Sequence, residues 1–338
     1  CGFGEPTMRF DVVLAVTMGD PRGIGPEVIV KALARTDVRT RMLVVGSGAV
    51  LAAVADRLGL HPALHAFGDA PGAQLWPALL DVPGFPPDRI EPRRPDALGG
   101  RASIDYIEKA VALALAGRAD AVVTAPINKE AIAAAGARCP GHTEMLAALT
   151  GAATPVMMLV NGPLRVALAT THVALRDVPG LVSVPGLLGV ARVLNEGLRR
   201  FFGTPHPRIA LCGLNPHCGD GGRFGDEEAR LLAPAVAAAG REGIGLTGPE
   251  PADTVFVKAA AGAYDAVLAL YHDQGMIPVK LAGLGAVVNV TLGLPIVRTS
   301  VGHGTAYDIA GTGRAEEDSL VAALRLGAQM ARTARAAR

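Results

Sequence analysis

Short apolar runs alternate with longer segments of helical periodicity along almost the whole chain. Residues 12–16, 42–45, 121–124, 156–160, 166–169, 209–212, 266–270 and 286–290 read as strands bounded by turn residues. Between them, residues 103–116, 128–135, 186–200 and 226–239 read as helices. The 128–135 segment carries its own punctuation: Asn128 to cap it, Glu130 in its first turn and Gly136 to end it. Strands followed repeatedly by helices predict an α/β fold with a largely parallel sheet. The Pro-rich stretch 81–95 reads as a loop or a connection between lobes.

Composition narrows the class. With 338 residues, 50% of them hydrophobic, the chain is long enough for two domains or one two-lobed unit. A net charge of +1 argues against a nucleic-acid partner, which calls for a basic excess. No apolar run approaches the ~18 residues of a membrane span, so no membrane partner is expected. Cys1, Cys139, Cys212 and Cys218 have neither metal-site nor disulfide-framework spacing, and a reducing cytoplasm is the expected location. Residues 1–7 precede the patterned sequence and are expected to be a tail or remnant outside the fold.

Three of the eight histidines lie just beyond the end of an apolar strand: His172 after RVALA, His217 after RIALC and His272 after AVLAL. In open parallel sheets, ligands bind outside those strand ends. Three imidazoles with an open position make a catalytic site for zinc, cobalt or a similar divalent metal. Asp273 and Asp253 are candidates to orient an imidazole from behind, or else are ordinary turn and cap residues.

A second group suits anions. Pro140-Gly141 leads His142 and Thr143 into a predicted helix, whose free N–H groups favour a phosphate or carboxylate. Lys280, Asn289 and Arg298 follow or lie within apolar runs. A buried cation there needs either an internal salt bridge or a bound anion.

Glycines mark a third group. Gly46-Ser47-Gly48 has only the opening of a dinucleotide fingerprint and reads as a plain strand-to-helix turn. TMGDPRGIGPEV (17–28) and GHGTAYDIAGTGRA (302–315) are more distinctive. In the first, Pro26 and Glu27 open a helix; the second offers His303, backbone amides and Asp308, an acceptor for ribose hydroxyls. CGLNPHCGDGGRFGDEE (212–228) reads as a loop over the site.

These segments, together with TAPINKEA, PGHTE, TTHVALRDV, PADTVF, YHDQGMIPVK and VNVTLGLPIVRTSVGHGTAYDIAGTG, resemble the 4-hydroxythreonine-4-phosphate dehydrogenase family of pyridoxal 5′-phosphate biosynthesis. The first and last also resemble isocitrate and isopropylmalate dehydrogenases. The resemblance implies their two-domain α/β fold with a cleft between the domains. Domain 1 would comprise residues 8–130 and about 300–338, and domain 2 about 131–299.

It further implies a homodimer whose active site is shared between subunits, with His272 meeting the partner's His172 and His217 around a divalent metal (zinc, magnesium or cobalt). His142, Thr143, Lys280, Asn289 and Arg298 would bind a phosphorylated hydroxy acid. NAD would lie partly on His303, Gly304, Thr305, Ala306 and Asp308. Lys280 and Asp273 are the catalytic candidates, with Lys280 either an acid–base group or a fixed cation. The implied reaction oxidises 4-phosphooxy-L-threonine with NAD to a 3-keto acid, which loses CO2 to give 3-amino-2-oxopropyl phosphate.

Gly302, where an aspartate is common, Cys218 beside His217, and NKEA after TAPI depart from the biosynthetic pattern. They keep D-threonate and D-erythronate 4-phosphate dehydrogenases and cis-dihydrodiol dicarboxylate dehydrogenases in view. A metal-dependent acyl or phosphoryl transferase and a ligand-binding sensor are the readings from other classes.

Overall fold

The computed structural model describes residues 12–35, 40–68, 74–91, 93–283 and 285–337. The expectation for residues 1–7 lies outside these described residues. The fold is α/β, in two compact units: Cys1–His142 with Thr299–Arg332, and Thr143–Arg298 with Thr333–Arg338.

The first unit opens with β1 (Val13–Thr17), α1 (Gly25–Ala34), β2 (Arg41–Gly46), α2 (Gly48–Leu58), β3 (His65–Ala66), β4 (Ala78–Asp81), α3 (Ala97–Leu115), β5 (Ala121–Thr124) and α4 (Lys129–Ala134). Its strands lie in the order β3-β4-β2-β1-β5 and pair in parallel. Nearly every residue of β1, β2 and β5 is buried. That is why they appear in the sequence as continuous apolar runs rather than alternating ones. Gly46-Ser47-Gly48 is a plain turn: Ser47 Oγ accepts from Val50 N–H at 3.3 Å and Asp81 Oδ1 from Gly48 N–H at 2.8 Å. The start of α2 is thus filled by the protein's own oxygens. Asn128 caps α4 through Ala131 N–H at 2.9 Å, as its position predicts.

The chain continues through α5 (His142–Thr150), β6 (Val156–Asn161), β7 (Leu164–Leu168), α6 (Val178–Leu181), α7 (Val184–Phe202), β8 (Ile209–Cys212), α8 (Ala233–Arg241), β9 (Leu246–Glu250), α9 (Ala252–Ala260), β10 (Ala266–Ala269), α10 (His272–Leu281) and β11 (Val288–Leu292). The strand order in this second unit is β11-β6-β7-β10-β8-β9. β6 departs from the parallel expectation: it pairs antiparallel with both β7 and β11. The Gly162-Pro163 turn reverses the chain too tightly for a parallel crossover, which needs a dozen or more residues. Leu159, Val166, Leu168, Ala210, Val267 and Ala269, with Val255 of α9 and Val279 of α10, form the core around these strands. Each large aliphatic buried there contributes about 1.5–3 kcal/mol of transfer free energy.

β12 (Val297–Val301) and α11 (Asp318–Ala336) close the chain. Thr299 Oγ1 donates to Ala323 O at 2.8 Å, fastening α11 to β12 within the first unit. Among the described residues, no single helix is long and apolar enough to cross a membrane.

Candidate active site

β7, β10 and β8 are neighbours in the second unit, and their ends lead to His172, His272 and His217 respectively. The rings of His172 and His272 lie with centroids 5.6 Å apart, tilted by 42°. His272 opens α10, and its Nδ1 is 2.7 Å from Asp273 Oδ1. A carboxylate on Nδ1 fixes the imidazole and directs Nε2 outward as the ligating nitrogen. Asp253 instead sits exposed in the first turn of α9 rather than in a loop. Gly275 lets α10 approach β7: a Cβ there would meet Leu168 Cδ2 at 2.6 Å and Val166 Cγ1 at 3.0 Å.

His217 is placed differently. It is exposed and begins a run of left-handed backbone, with φ of 51° at His217, 54° at Cys218, 81° at Gly219, 43° at Asp220 and 68° at Gly221. Non-glycine residues in this region cost about 1–2 kcal/mol each, so the surroundings must hold the turn. Glu228, buried behind it, does so. Its Oε1 accepts from Leu214 N–H at 2.9 Å and Asn215 N–H at 2.7 Å, and its Oε2 from Asn215 Nδ2 at 3.0 Å. The Cys218 thiol is pushed up by burial and then by the carboxylates of Glu228, Glu250 and Asp253, which keeps it protonated.

Among the described residues, no group of three or more His, Cys, Asp and Glu side chains is gathered to hold a metal ion. One chain therefore brings together two of the three predicted ligands. They are His172 and His272, whose rings meet within the chain. The strand order explains this, because β7 and β10 pair directly and carry both residues at the same end.

Of the anion group, Thr143, Lys280, Asn289 and Arg298 belong to the second unit. Arg298, in β12, is 1% exposed, and burial pulls its pKa down to about 9. Its Nη1 donates to Thr291 Oγ1 at 2.9 Å. Asn289 precedes Thr291 by two residues in β11 and shares its face. Asn289 Oδ1 is buried without a hydrogen-bond partner. Lys280 is half-buried in the last turn of α10. His142 and Thr143, both half-buried, open α5, and the division between the two units falls between them.

In the first unit, the two long glycine motifs pack against each other. Ile24 N–H donates to Thr305 O at 2.9 Å. A Cβ on Gly23 would meet Thr305 O at 2.9 Å. Glu27, 1% exposed, accepts from Gly311 N–H at 2.9 Å and Ala315 N–H at 3.0 Å. Lys31 Nζ donates to Gly313 O at 2.7 Å and lies 3.3 Å from Glu27. Tyr307 donates its hydroxyl hydrogen to the fully buried Asp20 at 2.7 Å, and burial raises the pKa of both groups. Arg22, ion-paired to Asp96 at 2.7 Å, lies beside them. His303 and Asp308 are left exposed on this braced loop, and Ala306 adopts φ 41°. The sequence motifs flagged the loop but not its braces: nothing in the spacing distinguishes Glu27 or Asp20 from ordinary helix-start and turn acids.

Residues 38–327 match the family model described as pyridoxal phosphate biosynthetic protein PdxA. A 4-hydroxythreonine-4-phosphate dehydrogenase of Geobacter metallireducens is 50% identical, over 94% of this chain and 95% of its own length. A D-threonate 4-phosphate dehydrogenase of Cupriavidus necator is 47% identical, over 94% of this chain and 97% of its own. Among solved structures, the 4-hydroxythreonine-4-phosphate dehydrogenase of Klebsiella pneumoniae superposes with a TM-score of 0.88 at 43% identity, covering 95% of this chain and 98% of that one.

Proposed function

The chain belongs to the PdxA family of pyridoxal phosphate biosynthetic proteins and is an oxidoreductase of that type; from this premise we propose that it oxidises 4-phosphooxy-L-threonine with NAD. The C3 hydroxyl loses its proton, and hydride passes from C3 to the nicotinamide. The resulting 3-keto acid releases CO2, and the carbon left behind takes up a proton to give 3-amino-2-oxopropyl phosphate.

The observation that carries the substrate reading is the buried guanidinium of Arg298, which donates to Thr291 Oγ1. Holding a cation out of water is costly, and a bound phosphate or carboxylate offsets that cost. We assign Arg298, Asn289 and Lys280, with His142 and Thr143 at the start of α5, to the anionic groups of the substrate. Lys280, as a half-buried cation, either clamps an anion or moves a proton at the reacting carbon.

His172, His217 and His272 suit a divalent metal as imidazole donors, and His272 is fixed from behind by Asp273. Such an ion supplies Lewis-acid polarisation of the substrate oxygen, and imidazole donors favour zinc or cobalt. In a homodimer His272 of one subunit would complete a site whose other two ligands, His172 and His217, come from the second copy of the chain. An apolar surface supports association: Ile277 and Leu281 on α10 are 58% and 82% exposed. We assign NAD to His303, Gly304, Thr305, Ala306 and Asp308, on the loop braced by Glu27 and Asp20. The free thiols of Cys139, Cys212 and Cys218 suit a cytoplasmic setting.

The Cupriavidus necator relative, at 47% identity, supports D-threonate 4-phosphate as the second reading, differing at C2 by a hydroxyl in place of the amine. Purified protein mixed with each 4-phosphorylated acid and NAD or NADP, with reduced nicotinamide and CO2 read together, decides between them. Equimolar NADH and CO2 from 4-phosphooxy-L-threonine is the expected result. Turnover confined to D-threonate 4-phosphate selects the second reading, and no nicotinamide reduction with either acid defeats both.

A further inference from the structure

We propose that Gln274 is a positioning residue that sets the register of the two strand-end segments carrying His272 and His217. It sits in the first turn of α10, two residues past His272, and is 9% exposed. Its Oε1 accepts from Leu270 N–H at 2.7 Å, and its Nε2 donates to Gly213 O at 2.8 Å. Leu270 lies two residues before His272, and Gly213 four residues before His217.

The backbone pairing explains why a side chain is needed there. The parallel register between β10 and β8 runs through Leu268 opposite Leu211. Beyond that pair the two strands lead into different structures, α10 on one side and the left-handed turn on the other. The Gln274 carboxamide has the donor and acceptor of a peptide group. It takes up one backbone N–H and one backbone C=O just past the last pair, and so continues the pairing with a side chain. On the other side of β10, Leu270 O accepts from Thr170 N–H at 3.1 Å and Thr170 Oγ1 at 2.7 Å, two residues before His172. The sequence Thr170, Leu270, Gln274, Gly213 thus laces the ends of β7, β10 and β8, the three strands that precede the three histidines.

Glutamate in place of Gln274 keeps an acceptor for Leu270 N–H but sets an oxygen against Gly213 O. Methionine keeps the length and loses both bonds. This inference rests on the metal reading above, so the probe is Co(II) titrated into the full-length metal-free protein. Its visible absorption reports coordination, and thermal unfolding of the metal-free protein is followed in parallel. Groups that orient metal ligands typically change affinity by about 10–100-fold. Gln274→Met is expected to weaken Co(II) by about that factor and to alter its spectrum, and His172→Ala to abolish the band. Should Gln274→Met not fold, Gln274→Glu, which matches glutamine in shape, is read in the same way. A folded variant with Co(II) affinity within about twofold of wild type and an unchanged spectrum overturns the inference, even if it unfolds at lower temperature. A wild-type protein with no Co(II) band overturns the metal reading and this inference with it.

Discussion

Tyr307 and Asp20 are 287 positions apart in sequence and joined by a 2.7 Å hydrogen bond, with the phenol donating to a carboxylate that has no exposure to solvent. Burial raises the Asp20 pKa above 3.8, against the opposing effect of Tyr307 and the Arg22 N–H. The folded state therefore holds a proton that the unfolded chain releases. The stability this contributes is present below about pH 3.8 and is lost as pH climbs through the raised folded-state value. Comparing wild type with Asp20→Asn by denaturant titration across pH 3–8 should show the wild type losing stability relative to the variant as pH rises. A difference that stays flat would remove the linkage. Tyr307→Phe should cost about 1–3 kcal/mol, because it leaves a buried carboxyl oxygen without its donor.

The proposed division of ligands makes a prediction about mixed dimers. Random reassociation of two variants makes roughly half of the dimers hybrids. If His172 and His217 of one subunit share a site with His272 of the other, mixing His172→Ala with His272→Ala should restore about a quarter of the sites. Mixing His172→Ala with His217→Ala should restore none. Recovery in the second mixture and not the first would make His217 the ligand that comes from the other subunit.

Arg298→Met tests the anion assignment by separating binding from stability. Arg298 also donates to Thr291 Oγ1, so its loss carries a structural cost of about 1–3 kcal/mol. A melting curve recorded beside the kinetics measures that cost separately. Losing one partner of a buried ionic contact costs about 2–5 kcal/mol, so kcat/KM for the phosphorylated acid should fall by at least about 30-fold. A variant that melts early with unchanged kcat/KM would make Arg298 a structural residue.

Asp308→Ala should raise the KM for NAD more than that for the acid, because an acceptor for the ribose hydroxyls is lost. It should also improve NADP relative to NAD, since a 2′-phosphate no longer meets a carboxylate. Steady-state kinetics with both cofactors is the measurement. Equal changes in both KM values would detach residue 308 from the nucleotide.

The α/β class was legible because β5, β8 and β10 are buried throughout, and such strands leave unmistakable apolar runs. β3, with two residues, and β9, with Gly248 and Pro249 inside it, carry too little pattern to be seen. α10 was hidden for the opposite reason. Gly275 and Pro278 contradict helix propensity, and tertiary contact with β7 overrides them. The histidines stood out because imidazoles after strand ends are chemically conspicuous. That the rings of His172 and His272 meet depends on strand neighbours that lie far apart in sequence. Gln274 and Glu228 left no signal, since their partners are backbone groups and any residue supplies those.

The left-handed turn at His217 also governs what evolution and mutagenesis can do there. His217, Cys218 and Asp220 stand on mirror-image backbone, where side-chain chemistry is secondary to handedness. Glycine, asparagine and aspartate are admissible at 218 and 220, whereas valine, isoleucine and threonine are barred by their branched Cβ, whatever their polarity. A saturation library across 218–221 would sort by backbone tolerance rather than by hydrophobicity or charge. A D-amino acid installed at 218 by chemical ligation would relax the turn, making a loop that is difficult for the ribosome's alphabet easy for its mirror image.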